Sequence, residues 1–280
     1  MLPGLVTTLA VAVACAVLSV FVVSRRWAFI GEGISHSGFG GAGTAWLLAL
    51  AFPALDAPWA VYAGVVLFCF ATALAIGYVG RSQGVNADAA IGIFLVASVA
   101  WGFLAQEFYH RAREREPTGF ANYLFGHMTD VSPQFAVAAL AVSVAVVAVV
   151  VLLRKEIVYY CFDPAMAEAS GVNAALVHYL LILLVTLTIV VGSRVAGSIL
   201  VTALLVLPGA TGSLLSDRLR GTTIISVATA LSAVTAAMLV RLRWPFLPNG
   251  PAIVLSMFVL FLIAYSLRGI RRRQPRLAPA

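Results

Sequence analysis

Residues 135–153 read FAVAALAVSVAVVAVVVLL, an apolar run with no charged side chain. A helix needs roughly 20 such residues to cross the hydrocarbon core of a bilayer, and this run supplies them. Comparable segments lie near residues 4–23, 28–53, 58–80, 88–106, 175–192, 195–216, 222–241 and 250–267. Backbone polar groups that face lipid must be paired within a helix, so every segment is expected to be helical. The sequence therefore predicts an all-α fold, a polytopic transmembrane bundle of about nine helices.

The composition also indicates a membrane protein, since 62% of the 280 residues are hydrophobic and only 10% are charged. A soluble domain carries about 25% charged residues. No polar stretch is long enough to form a separate soluble domain, so residues 1–280 are interpreted as one transmembrane domain. Cys15, Cys69 and Cys161 are isolated and lie mostly in apolar runs. They are predicted to be packing residues, not a disulfide framework or a thiolate metal site.

The net charge of +7 comes from basic residues in short clusters between the apolar runs. Such scattering does not indicate a nucleic-acid-binding face. Cytoplasmic loops of membrane proteins carry an excess of Lys and Arg. Nine crossings with the N-terminus outside place twelve of the 18 basic residues inside, including those of the basic tail 268–280. The first segment lacks a preceding basic region and is therefore predicted to be a retained helix, not a signal peptide.

The second segment carries ionisable residues, because Glu32 and His36 lie four residues apart and so on one face of a helix. A carboxylate and an imidazole at this spacing can share a divalent cation such as zinc, manganese or iron. The spacing fits equally well an interfacial pair that stabilises the helix end. An ionisable residue inside a membrane helix indicates function by default, which favours the metal pathway.

Glycine and proline mark two further features of the apolar segments. Gly38, Gly40 and Gly43 match G-x-G-x-x-G, but no strand precedes them, so dinucleotide binding is not indicated. Small residues at this density let helix backbones approach closely. Pro208 and Gly209 predict a helix kink or break, which is either a packing bend or a broken helix that lines a transport pathway.

The polar stretch near 154–174 predicts a short helix between two membrane segments. Asp163 is a good N-cap, Pro164 suits the first helical position, and Gly171 suits the position after the helix end, with Glu168 between them. Two turns are too short to span a membrane, so this is either an ordinary loop helix or an element that a partner protein grips.

Other polar residues give weaker signals. The stretch 107–134 is predicted to form an external amphipathic helix at the membrane surface. His110, His127 and His178 have no partner that their spacing predicts. Lys155, the single lysine, does not follow the glycines of a phosphate-binding loop, so no ATP hydrolysis and no catalytic residues are expected in this chain.

Arg26 to His36, with Gly41 beyond, resembles the Arg-x-x-x-x-Gly-Asp-x-x-Ser-His-x-x-x-x-Gly signature of permeases of metal-importing ABC transporters. Further segments that resemble this family are Asp88 to Ile93, Tyr123 to Gly126, Phe162 to Gly171, and Gly197 to Ala210. Three positions depart from the family's pattern: Glu32 replaces the usual Asp, Gly40 stands where Pro is common, and Gly209 stands where Ala is.

The resemblance implies a multi-pass permease in a prokaryotic inner membrane, with the C-terminus in the cytoplasm. Its expected partners are a second permease copy, cytoplasmic ATP-binding subunits and an external metal-binding protein. It implies no tightly bound cofactor and no stable structural metal, only a transported divalent ion. Glu32, His36 and Asp88 would then line the metal pathway, and the Asp163–Gly171 stretch would couple the permease to ATP hydrolysis.

Two alternatives remain open on sequence grounds. A permease of similar architecture for a siderophore or an organic cofactor would have a wider, less charged cavity. A stand-alone secondary carrier would need internal repeats and a buried proton- or sodium-coupling site. The sequence displays neither of these features.

Overall fold

The computed structural model describes residues 2–81, 85–113, 132–244 and 246–273. These residues form α-helices, one short 3-10 helix at Pro53–Leu55, and no strand. In chain order the α-helices are α1 (Leu2–Ser24), α2 (Ile30–Ala51), α3 (Pro58–Arg81), α4 (Ala87–Arg113), α5 (Pro133–Leu152), α6 (Arg154–Phe162), α7 (Pro164–Ala169), α8 (Ala174–Ala196), α9 (Ser198–Leu215), α10 (Leu219–Arg243) and α11 (Asn249–Arg273).

In the described part of the chain, eight helices are long and apolar enough to cross a membrane. They are α1, α3, α4, α5, α8, α9, α10 and α11. Helix α2 has 22 residues, a length of about 33 Å at 1.5 Å per residue, which also suffices for a crossing. Its glycines and polar residues make it less apolar than the others. The predicted polytopic all-α bundle is confirmed.

Glycines set how closely α2 approaches its neighbours α3 and α4. A Cβ added at Gly41 would lie 2.6 Å from the Cα of Val65 and 2.7 Å from the carbonyl oxygen of Gly64, both on α3. A Cβ at Gly43 would lie 3.1 Å from the Cα of Gly102 on α4. Contacts this short leave room only for glycine. The predicted packing role is therefore confirmed for Gly43, and Gly41 has the same role.

Helix α4 is longer than the sequence predicted. It continues to Arg113 instead of ending near residue 106, and an ion pair of 2.8 Å between Arg111 Nε and Glu107 Oε1 supports its last turns. The prediction of a separate surface helix is therefore wrong for residues 107–113, including His110. The rest of that prediction, with His127, lies outside the described residues.

Helix α9 runs without a break through Pro208. The Oγ of Ser226 on α10 donates a hydrogen bond of 3.0 Å to the carbonyl oxygen of Pro208. A Cβ added at Gly209 would lie 2.5 Å from the carbonyl oxygen of Ser19, so this glycine lets α9 pack closely against α1. A break at this point is excluded, while a bend at Pro208 and Gly209 stays a prediction.

The three cysteines are free and buried, in agreement with a packing role. Cys161 lies on the short helix α6, outside the membrane-spanning helices. Burial raises the pKa of its thiol to about 12, so the thiol stays protonated and unreactive at neutral pH.

Candidate functional site

Helix α2 is buried along most of its length and leaves one polar stripe partly accessible. Glu32, Ser35 and His36 form this stripe, and their spacing places them on one side of the helix. Thr44 is partly accessible too, but it lies toward α4, where Nε1 of Trp101 donates a hydrogen bond of 2.9 Å to its Oγ1. The residues between them are mostly glycines and apolar side chains that pack inside the bundle. The stripe is therefore where a solute passing along α2 would meet polar side chains.

Glu32 and His36 contact each other on this stripe. His36 Nδ1 lies 3.3 Å from Glu32 Oε1 and 3.2 Å from the backbone oxygen of Glu32. The carboxylate and the carbonyl oxygen only accept hydrogen bonds, so Nδ1 carries the proton in the neutral imidazole. The lone pair of Nε2 is then available, and a histidine held by a carboxylate in this way is the usual arrangement of a metal ligand.

A single copy of the chain supplies few ligands at this position. Among the described residues, no group of three or more His, Cys, Asp and Glu side chains is placed to hold a metal ion. Zinc takes four ligands and manganese prefers octahedral oxygen-rich coordination. Glu32 and His36 can therefore complete the coordination of a metal only with water or with residues from another copy.

Close packing on both sides of Glu32 fixes the orientation of the stripe. A Cβ at Gly31 would lie 3.4 Å from the Cα of Thr202 on α9, and one at Gly33 would lie 2.7 Å from Cγ2 of Ile91 on α4. With glycine on either side, α2 lies directly against α9 and α4. The side chain of Glu32 is consequently held on the open side of the helix.

Asp88 lies exposed in the first turn of α4. The helix that carries it packs against α2 through Ile91, one turn further along. In the described part of the chain, no hydrogen bond or ion pair joins Asp88 to Glu32 or His36. Because α4 packs against α2, a role for Asp88 in the metal pathway stays a prediction.

The predicted short helix after α6 is present as α7 and is capped as its sequence indicates. Asp163 Oδ1 accepts a hydrogen bond of 2.9 Å from the backbone N–H of Met166, and Pro164 opens the helix. Gly171 has φ +82°. Its N–H donates to Glu168 O at 3.0 Å, and the N–H of Val172 donates to Ala167 O at 2.9 Å. This pair of bonds is a Schellman C-terminal cap.

The surface around α7 is apolar and exposed. Tyr159 and Phe162 at the end of α6 and Met166 on α7 are the large side chains of this surface, here called the α7 patch. Phe162 is 69% exposed. Of the residues of α7, only Ala167 is buried. Exposed apolar side chains gathered in this way are typical of a contact with another protein or with the membrane surface.

Sequence spacing did not reveal the partners of His178. The structure buries its imidazole and places Nδ1 2.6 Å from the hydroxyl oxygen of Tyr160. Nε2 lies 3.1 Å from the carbonyl oxygen of Gly77. The partners are 18 and 101 residues away along the chain, so no local pattern could have indicated them.

The family model of the ABC 3 transport family matches residues 1–268 of this chain. The chain therefore belongs to this family of ABC transporter membrane proteins. It is 31% identical over 94% of its length to the manganese transport system membrane protein MntC of Listeria monocytogenes, 88% of which is covered. It is 33% identical over 91% of its length to the manganese transport system membrane protein MntB of Synechocystis, with 78% of that protein covered.

A solved structure has the same fold. PsaBC from Streptococcus pneumoniae, in complex with Fab, superposes with a TM-score of 0.75 at 25% identity. The match covers 94% of this chain and 89% of the other. The described helices are therefore arranged as in an experimentally determined protein.

Proposed function

We propose that this chain is the membrane permease of an ATP-driven importer of divalent transition-metal ions, with manganese as the first candidate cargo. The observation that carries the proposal is the Glu32–His36 pair on the accessible stripe of α2, with Nε2 of His36 free to bind a metal. Family membership supports ATP-driven transport, and the names of the relatives MntC and MntB support manganese.

Two copies of the permease form the working unit in this proposal. Each copy offers one imidazole, and also one carboxylate once the Glu32 side chain turns from Nδ1 of His36 toward the ion. A two-fold axis beside α2 would then bring four ligands together. Four ligands suit a tetrahedral zinc ion or a partly hydrated manganese ion. The ligands would also be few enough for the ion to leave again, which conduction requires.

The α7 patch is the proposed contact with the cytoplasmic ATP-binding subunits. It combines exposed apolar side chains with a helix whose two ends are fixed by capping. A rigid, capped helix can transmit a push from a partner into the bundle, whereas a flexible loop would absorb it. An external metal-binding protein would deliver the ion to the opposite side of the membrane.

Replacing Gly171 by valine is expected to uncouple transport from ATP hydrolysis. A β-branched residue at a positive φ costs about 1–3 kcal/mol and should distort the end of α7. No atom lies within 4 Å of a Cβ at this position, so the effect would come from backbone strain and not from a clash. The measurement is the amount of metal imported per ATP hydrolysed by the reconstituted complex.

Gly171→Asn is the matched control, because asparagine tolerates the left-handed conformation. It is expected to keep a nearly normal ratio of metal to ATP. A normal ratio in the Gly171→Val complex would mean that α7 is only a loop helix.

The termini are expected to lie on opposite sides of the membrane, with the N-terminus outside and residues 268–280 in the cytoplasm. The reason is the excess of basic residues on one side when all nine long helices cross. Reporter fusions at both ends measure this directly. Termini on the same side would show that α2 does not cross, or that another helix fails to.

The experiment that tests the function is metal uptake by vesicles that carry the whole complex. Uptake of Mn²⁺ should require ATP and should be competed by Zn²⁺ or Fe²⁺ added in excess. A ferric siderophore should not compete. Competition by the siderophore alone would favour the alternative of an organic-chelate permease, and uptake without ATP would favour a secondary carrier.

A further inference from the structure

Four segments of the chain meet at a buried polar cluster near α6. His178 from α8, Tyr160 from α6 and Trp27 from the α1–α2 connection are each at least 95% buried. The hydrogen bonds of His178 tie Tyr160 to Gly77 on α3. This group is here called the His178 cluster. None of its residues belongs to the proposed metal pathway or to the α7 patch.

The positions of the protons in the cluster follow from the atoms that can only accept hydrogen bonds. The carbonyl oxygen of Gly77 can only accept, so His178 Nε2 carries a proton and donates it. In the neutral imidazole, Nδ1 then accepts from the hydroxyl of Tyr160. Gly77 makes this approach possible, because a Cβ there would lie 2.8 Å from Cδ1 of Ile182 and 3.3 Å from Nε2 of His178.

Arg25 and Trp27 attach the cluster to the connection that leads into α2. The Arg25 guanidinium carbon lies 4.4 Å from the centre of the Tyr160 ring, within the range of a cation–π interaction. The Trp27 ring meets the His178 ring edge-on at 5.3 Å.

Between these two residues, Arg26 has φ +58°. The N–H of Trp27 donates to Val22 O at 2.9 Å and that of Arg26 donates to Val23 O at 3.1 Å. This Schellman cap fixes the connection.

We infer that Tyr160 and His178 are positioning residues that transmit movement of α7 to the start of α2. Tyr160 lies three residues before the N-cap of α7, and Trp27 lies five residues before Glu32. The cluster thus connects the segment just before the proposed ATPase contact with the segment just before the proposed metal ligands. The inference rests on the proposed function, since it assigns the device that couples these two sites.

A double-mutant cycle separates this role from a merely structural one. Tyr160→Phe and His178→Leu should each lower the metal imported per ATP by about 5-fold or more, the lower end of typical coupling between sites. The single variants leave a buried polar group unpaired and should also lower the melting temperature. The double variant replaces both partners by apolar groups and should largely recover that temperature. The amount of metal imported per ATP should stay low in this double variant.

Tyr78→Phe is the matched control, since Tyr78 is exposed on α3 beside Gly77 and should leave both readouts unchanged. Coupling that recovers together with stability in the double variant would overturn the inference. Normal coupling in the Tyr160→Phe complex, the mildest change, would overturn it as well.

A second readout does not depend on metal transport. A cysteine introduced at Ser35, on the accessible stripe of α2, can be labelled with a maleimide, while the native cysteines are buried. Its labelling rate should change about 5-fold or more between the ATP-free and the vanadate-trapped complex, and this response should disappear with Tyr160→Phe. If the Ser35→Cys complex is labelled at the same rate in the ATP-free and the vanadate-trapped states, the inference is overturned. A responsive rate in a complex that takes up no Mn²⁺ would instead refute the proposed cargo alone.

Discussion

A complex that carries His36→Ala is expected to lose metal uptake while the permease still folds and assembles. The substitution removes the free Nε2 lone pair at the only place where an imidazole and a carboxylate meet on the accessible side of α2. Even the partners that orient a metal ligand are worth about 10–100-fold, so loss of the ligand itself should lower uptake by about 100-fold or more. Only 20% of the His36 side-chain surface is accessible, so the melting temperature of the variant is measured beside its uptake.

Substitutions at Glu32 refine this result. Glu32→Gln removes the charge at nearly constant shape and is expected to reduce uptake almost as strongly. Glu32→Asp restores the residue that the family signature usually has and should keep uptake, with an altered preference among metals. The measurement is uptake by the reconstituted complex, with assembly checked by co-purification of the ATP-binding subunit.

His110→Ala is the control, because His110 is an exposed histidine on α4 away from the stripe. It should transport normally. Normal uptake by the double variant His36→Ala, Glu32→Gln would return both residues to a structural role at the helix end.

Replacing Gly41 by valine is expected to prevent the permease from folding correctly. The new Cβ would lie within 2.7 Å of backbone atoms of Val65 and Gly64, and backbone cannot move aside as a flexible side chain can. Helices α2 and α3 would have to separate. Overpacking usually costs about 1–3 kcal/mol, and displacement of two central helices should cost more, a large share of the 5–15 kcal/mol that typically stabilises a protein.

Gly92→Val on α4 is the matched control. No atom lies within 4 Å of a Cβ at Gly92, and the residue is exposed. The measurement is the yield of monodisperse protein in detergent and its melting temperature. The yield and the melting temperature should fall only for the Gly41→Val variant. An equal fall in both variants would mean that helix propensity matters here more than close packing.

Features set by local chemistry could be predicted from the sequence. Apolar runs give the spans because lipid leaves the backbone no alternative to a helix. The ends of α7 follow from Asp163, Pro164 and Gly171 because a cap depends on residues within one turn. The pairing of Glu32 with His36 follows in the same way from a spacing of four.

Features that depend on distant partners could not be predicted. His178 finds Gly77 across 101 residues, and Gly209 owes its role to the backbone of Ser19 on another helix. Helix α4 exceeds its apolar run because the pair Glu107 and Arg111 extends it with polar residues. A hydropathy scan does not register such a pair as helical.

The most direct test of the metal pathway is pulsed electron paramagnetic resonance of Mn²⁺ bound to the assembled complex. Imidazole nitrogen that coordinates Mn²⁺ produces a characteristic modulation of the echo. This modulation is expected in the parent complex, and it should disappear with His36→Ala while the His110→Ala complex keeps it. The same nitrogen modulation in the His36→Ala complex, or none in the parent, would contradict the assignment of His36 as a metal ligand.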